Sequence, residues 1–149
     1  MYSDQLQSII NSDSRTCHQF LGVFAADLIP QNMSGNTMAT VNCCNHNMGG
    51  EHWIALFMNN NGCLEFFDSY ALSPNTYNLK SKLPKTSQIV CNKKRIQGMF
   101  TEVCGYYCLY YIYFKARGYQ MGVITEKFSN DFPHNDNYVY NQIKILYNL

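Results

Sequence analysis

Trp53-Ile54-Ala55-Leu56-Phe57-Met58, then Asn59-Asn60-Asn61-Gly62, then Cys63-Leu64-Glu65-Phe66-Phe67-Asp68 is the stretch that decides the fold. Two apolar, aromatic runs joined by an Asn-rich segment ending in Gly spell a β-hairpin, because Asn and Gly accept the left-handed backbone of tight strand connections. If Asn60-Asn61-Gly62 forms a three-residue loop with Gly62 left-handed, Asn59 pairs with Cys63, Ile54 falls opposite Asp68, and His52 falls opposite Tyr70. His52 and Asp68 are then diagonal neighbours on one face, within reach of each other. A two-residue Asn61-Gly62 turn would put them on opposite faces. Taken singly, His52 reads as a structural histidine and Asp68 as a strand-end turn residue that bonds the following backbone.

Outward from the hairpin, Thr40 to Cys44 and Gln88 to Cys91 read as further short strands, and Phe20-Leu21-Gly22-Val23-Phe24-Ala25-Ala26-Asp27-Leu28 leads the chain to Pro30. Ser3 to Asn11 has the spacing of a short amphipathic helix, with Leu6, Ile9 and Ile10 on one side. A longer apolar segment from about Val103 to Arg117 predicts a helix capped by Thr101 and stopped by Gly118. Gly122 to Phe128 and Asn135 to Leu149 complete the helices. Helices and strands without regular alternation give an α+β domain. A length of 149 residues, 46% of them hydrophobic, fits one domain over 1–149 with a sizeable core.

No run is long and apolar enough to span a bilayer, and Met1-Tyr2-Ser3-Asp4-Gln5-Leu6 lacks the pattern of a secretory leader, so the chain is expected to be intracellular with no membrane partner. Seven cysteines without framework spacing then read as reduced thiols. Net charge is only +1, but residues 80 to 97 hold six cations and no acid: Lys80, Lys82, Lys85, Lys93, Lys94 and Arg95. Such a block suits either a solvated loop or a phosphate backbone.

The chemistry centres on Cys104, which opens the run Cys104-Gly105-Tyr106-Tyr107-Cys108. A thiol at a helix start faces unpaired N–H groups and the positive end of the dipole, which favour thiolate. His52 supplies a base and later an acid, Asp68 orients the imidazole, and Gly105 lets substrate approach the backbone and offers an oxyanion N–H. Cys108, one turn on, reads as a small buried apolar residue. Cys43, Cys44, His46 and His52 have too irregular a spacing for a paired-knuckle zinc site, so no metal is expected. The Tyr106, Tyr107, Tyr110, Tyr111 and Tyr113 cluster belongs to a helix apolar on most sides and is expected in the core.

Together these segments resemble the adenovirus-type cysteine endopeptidases (adenain) and their relatives in Maverick/Polinton elements and related DNA viruses. Phe20-Leu21-Gly22-Val23-Phe24 is similar to the family's N-terminal segment, and Val41-Asn42 with Gly49-Gly50-Glu51-His52-Trp53 to its histidine motif. Leu64-Glu65-Phe66-Phe67-Asp68-Ser69-Tyr70 resembles its acidic strand, and Gln97-Gly98 followed by Cys104-Gly105-Tyr106-Tyr107-Cys108 its oxyanion glutamine and nucleophile. The resemblance implies a mixed central sheet with the nucleophile at the N-terminus of a buried helix, as in ubiquitin-like-modifier proteases. It implies Cys104 as nucleophile, His52 as base and acid, Asp68 as orienting acid and Gln97 as side-chain oxyanion donor; Trp53, beside His52, reads either as a wall of the site or as a core residue.

The activity so implied is thiol cleavage of viral or element-encoded capsid precursors during particle maturation, in the host nucleus or the virion. A protease removing ubiquitin-like modifiers shares the order His, Asp, Gln, Cys and is the alternative; an inactive protein- or nucleic-acid-binding module is the third reading. No cofactor is needed for the chemistry. The adenovirus enzymes are stimulated by DNA and by a short viral peptide that can disulfide-bond to a protease cysteine. The basic block suits the first role, and Cys91 lies in a region comparable to that cysteine, with five residues between it and Gln97, a shorter interval than in the adenovirus enzyme.

Overall fold

A computed structural model describes residues 1–43, 52–86 and 88–149. The expectations that fall on Cys44, His46, Gly49, Gly50 and Glu51 lie outside the described residues. Five strands form one mixed sheet: β1 (Phe20–Phe24), β2 (Thr37–Asn42), β3 (Trp53–Met58), β4 (Cys63–Phe67) and β5 (Gln88–Cys91), in spatial order β1-β2-β3-β4-β5. The central pairs β2–β3 and β3–β4 are antiparallel, whereas each outer pair is parallel. Four helices complete the α+β architecture: α1 (Ser3–Asn11), α2 (Cys104–Ala116), α3 (Met121–Thr125) and α4 (Phe132–Leu146).

The hairpin adopts the three-residue register. Asn59 donates its N–H to the Cys63 carbonyl at 2.9 Å, Gly62 is left-handed with φ of 76°, and Ala55 pairs with Phe67. Asn59 Oδ1 accepts from the N–H groups of Asn61 and Cys63, each at 2.9 Å, which pins the loop. His52 and Asp68 are therefore the residues just beyond the two ends of one ladder.

All six residues of β3 are buried, because both faces of the sheet are covered. Trp53, Ala55 and Phe57 join a core built with α1, α2 and α4, while Ile54, Leu56 and Met58 join a second core on the opposite face. Parallel neighbours need crossover connections rather than tight turns. Both crossovers pack residues into the second core: residues 25–36 contribute Ala26, Ile29 and Met33, and residues 68–86 contribute Leu79 and Leu83.

Helix α2 is the hub, buried along most of its length, with Tyr107 and Tyr111 fully inaccessible. Each such side chain contributes about 1.5–3 kcal/mol through burial of its apolar body. The hydroxyls are satisfied as well: Tyr107 donates to Asp136 Oδ1 at 2.7 Å and Tyr111 to Glu65 Oε1 at 2.5 Å. Tyr111 stacks on Phe67 at 4.5 Å, fixing α2 against β4. Thr101 does not cap α2. The N-cap is Val103, without a side-chain hydrogen bond, while Thr101 Oγ1 donates to the Gly98 carbonyl. Gly118, with φ of 86°, ends the helix as expected.

Candidate active site

Three separate elements bring Cys104, His52 and Asp68 into one chain of contacts. Asp68 is fully buried at the end of β4, and its Oδ1 lies 2.6 Å from His52 Nε2. With Nε2 held, Nδ1 is the imidazole nitrogen left for a thiol. The Cys104 thiol lies near enough to His52 for each group to shift the other's protonation.

Charge is distributed as that contact requires. Burial pushes the Cys104 thiol up, but the hydrogen bond and charge of His52, with the backbone N–H groups of Trp53 and Gly105, outweigh burial and hold the thiol below its ordinary value. Burial pulls the His52 imidazole down, yet Asp68 and Cys104 raise it to about 9. The imidazolium–thiolate form of the pair is therefore favoured over the neutral one. The uncapped start of α2 contributes, since no side chain competes with the thiolate for its first N–H groups.

Asp68 is held on every side. Oδ1 also accepts from the Tyr70 N–H at 3.0 Å, while Oδ2 accepts from the Leu72 N–H at 3.1 Å and the Tyr77 hydroxyl at 2.6 Å. Asn92 clamps the Asp68 backbone, accepting its N–H at 2.9 Å and donating to its carbonyl at 2.7 Å. Tyr70 stacks on the His52 ring at 4.6 Å.

Gln97 is fully buried beside this chain. Its Oε1 accepts from Ser69 Oγ at 2.5 Å, which turns Nε2 toward the Thr101 carbonyl at 2.9 Å and Tyr70 Oη at 3.4 Å. Among the described residues it makes no hydrogen bond to Cys104 or His52. Helix α4 anchors its backbone: Asn135 Nδ2 donates to the Ile96 carbonyl at 3.0 Å, and Asp136 accepts the Gly98 N–H at 3.3 Å.

Trp53 and Gly105 both have packing duties beside the thiol. The Trp53 indole is buried in the core and donates to the Met1 carbonyl at 3.1 Å, so what Trp53 offers the thiol is its backbone N–H. A Cβ on Gly105 would meet Met1 Cβ at 3.3 Å, so packing of the N-terminal residues also favours glycine there. Cys108 is buried with a raised thiol, as a core residue should be.

The basic block is dispersed. Lys80, Lys85 and Lys93 are exposed, but Lys94 Nζ donates to the Phe128 carbonyl at 2.5 Å. Lys82 belongs to a short 3-10 turn and offers its carbonyl to Gln31. Arg95 turns inward and stacks on Phe132, 4.0 Å from the ring centre. Cys91 ends the outer strand β5, half-buried, with its thiol raised by burial. No group of three metal-ligating side chains occurs among the described residues, nor a helix long and apolar enough to cross a membrane.

The sequence reading missed Ser69, Tyr77, Asn92, Asn135 and Asp136. Tyr77 and Asn92 reach Asp68 across 9 and 24 positions, and Asp136 reaches Gly98 across 38, spacings that no local pattern encodes. Ser69 alone had a signal, since it directly follows Asp68.

No protein-family model and no curated protein matches the chain. Among solved structures it is similar to the pS273R protease of ASFV, with a TM-score of 0.43 and 22% identity over 68% of this chain, which spans 42% of that protein's length. It is also similar to the central domain of the uncharacterized Lpg1148 protein from Legionella pneumophila, with a TM-score of 0.54 and 14% identity. That second likeness covers 100% of this chain and 98% of the other, and shows a shared fold.

Proposed function

We propose that residues 1–149 act as one cysteine-protease domain that cleaves polypeptides, and that its substrates are viral or element-encoded structural precursors processed during particle maturation. The observation that carries the reading is His52 held by Asp68 at 2.6 Å, with the Cys104 thiol at the start of α2 near enough that each group shifts the other's protonation. The precursor substrates rest on the adenain resemblance of the sequence motifs.

The reaction follows from the charges. The Cys104 thiolate attacks the scissile carbonyl carbon, and the carbonyl electrons move onto oxygen, for which the Gly105 N–H and, by the adenain resemblance, Gln97 Nε2 are the assigned donors. As the tetrahedral intermediate collapses, the C–N bond breaks and His52 gives its proton to the departing amine. Water then attacks the thioester, His52 takes its proton, and the acid product leaves with the thiolate restored. Asp68 keeps the imidazole aligned and stabilises its charged form. Stimulation by DNA belongs to the same proposal, with the exposed Lys80, Lys85 and Lys93 as its contacts.

A peptide-library cleavage assay on purified wild type and Cys104→Ala tests this. Wild type should cut internal peptide bonds, and Cys104→Ala should lose cleavage while keeping its melting temperature. Appreciable turnover by Cys104→Ala would sink the assignment. Cleavage confined to ubiquitin-like C-terminal conjugates would transfer the protein to the deconjugating class.

A further inference from the structure

The cavity beside the triad, about 370 Å³, is walled by His52, Tyr70, Leu72, Tyr77, Arg95 and Met99. Its lining is apolar and aromatic apart from His52 and the Arg95 guanidinium. Arg95 Nε donates to the Gln97 carbonyl at 3.1 Å, and the guanidinium plane lies on Phe132, so two independent contacts fix where the charge sits. No carboxylate among the described residues forms an ion pair with it, and its two terminal nitrogens have no hydrogen-bond partner among those residues. The charge that lowers the Cys104 thiol is supplied by His52, which leaves Arg95 outside the nucleophile's own activation. Its field does reach Tyr70, the ring stacked on the catalytic histidine.

A guanidinium fixed by Gln97 and Phe132, on a side chain that borders an apolar cavity and with its fork of donors unspent, is suited to receive a planar anion in bidentate fashion. Given the endopeptidase reading, on which this inference rests, the geometry points to Arg95 as a specificity-determining residue that takes a carboxylate of the polypeptide substrate beside the scissile bond. The carboxylate comes either from an Asp or Glu side chain or from a free C-terminus close to the cut. Arg95 is thus reassigned from a nucleic-acid contact to the substrate pocket. The aromatic walls exclude water from the pair, and the neighbouring apolar groups give a neutral polar side chain nothing in exchange for its hydration.

The test compares peptides that differ only in Asp against Asn or Glu against Gln at each position flanking the cut, together with C-terminal acid and amide forms. The readout is the ratio of kcat/KM for acid over amide, which cancels any general loss of activity in a variant. Wild type should favour the acid roughly 5- to 20-fold, the value of one partly screened bidentate pair. Arg95→Gln should bring the ratio to near one, Arg95→Glu should invert it, and Arg95→Lys should retain part of it. Equal ratios in wild type and Arg95→Gln overturn the assignment. In parallel, the same peptides are titrated into Cys104→Ala and Cys104→Ala/Arg95→Gln by fluorescence anisotropy. Acid-selective binding that disappears in the double variant, with no cleavage by wild type, would refute the protease reading and leave Arg95 assigned. Cleavage without acid preference would do the reverse, and a lack of preference in both assays overturns the Arg95 proposal. Preference confined to C-terminal acids assigns the pocket to chain ends, and preference for internal Asp or Glu assigns it to side chains.

Discussion

Asp68→Asn separates the shape of the site from its charge. The carboxylate accepts four hydrogen bonds, two on each oxygen. An amide keeps one oxygen, and if that oxygen stays toward His52, the new NH2 faces the Leu72 N–H, donor against donor. Leaving that buried donor unpaired costs about 1–3 kcal/mol of stability. The larger effect falls on His52. Among the influences that raise its imidazole to about 9 from the ordinary 6.5, the Asp68 hydrogen bond is the largest, while burial acts in the opposite direction. Losing the carboxylate takes back on the order of 2 kcal/mol of imidazolium stabilisation, so the proton returns toward the Cys104 thiol and kcat/KM at neutral pH falls roughly 10- to 100-fold. The assay pairs kcat/KM with the rate of Cys104 alkylation by iodoacetamide, each followed against pH. In Asp68→Asn the alkylation midpoint should rise toward that of an ordinary thiol. An unchanged midpoint, with kcat/KM within about twofold of wild type, would refute the electrostatic account.

For the wild-type enzyme, activity should decline above pH about 9, where His52 loses the proton it must give to the leaving amine. The sign is the same for folding. An imidazole raised from 6.5 to about 9 stabilises the native state fully below 6.5, and that contribution is lost as pH rises through about 9, which thermal melts across this range will register. Asp136→Ala leaves the Gly98 N–H without its acceptor while the Tyr107 hydroxyl keeps the Ile96 carbonyl, so stability should drop by about 1–3 kcal/mol in urea unfolding, with kcat reduced more than KM is raised as the Gln97 loop loosens.

The hairpin was legible in Asn59-Asn60-Asn61-Gly62, but that segment allows a two- or a three-residue loop, and the structure takes the three-residue one, which sets the register. That single local choice placed His52 and Asp68 together across 16 positions. Strand β2 was less legible. Thr40 to Cys44 was expected from β-propensity, but the strand runs Thr37–Asn42 because it pairs along the whole length of β3, starting where left-handed Asn36 lets the chain turn. Helix α4 begins at Phe132 rather than Asn135, since Asp131 caps it by accepting the His134 N–H and Pro133 suits its first turn. The polar side chains that clamp the site were illegible for a different reason. Asn92, Asn135 and Asp136 hold backbone groups far off in sequence, and an Asn or Asp that serves a distant backbone looks in sequence like any other loop or helix-start residue.

The anchoring of the Gln97 loop by α4 also sets an order of events during synthesis. Cys104, His52 and Asp68 precede α3 and α4 in the chain, whereas the groups that fix Ile96 and Gly98 stand at Asn135 and Asp136. A nascent chain can thus bring its thiol and imidazole together before the segment bearing the glutamine has anything to hold it. On the proposed function, the glutamine is in place only once α4 has emerged and docked, so the assembly of the site is tied to the completion of that helix.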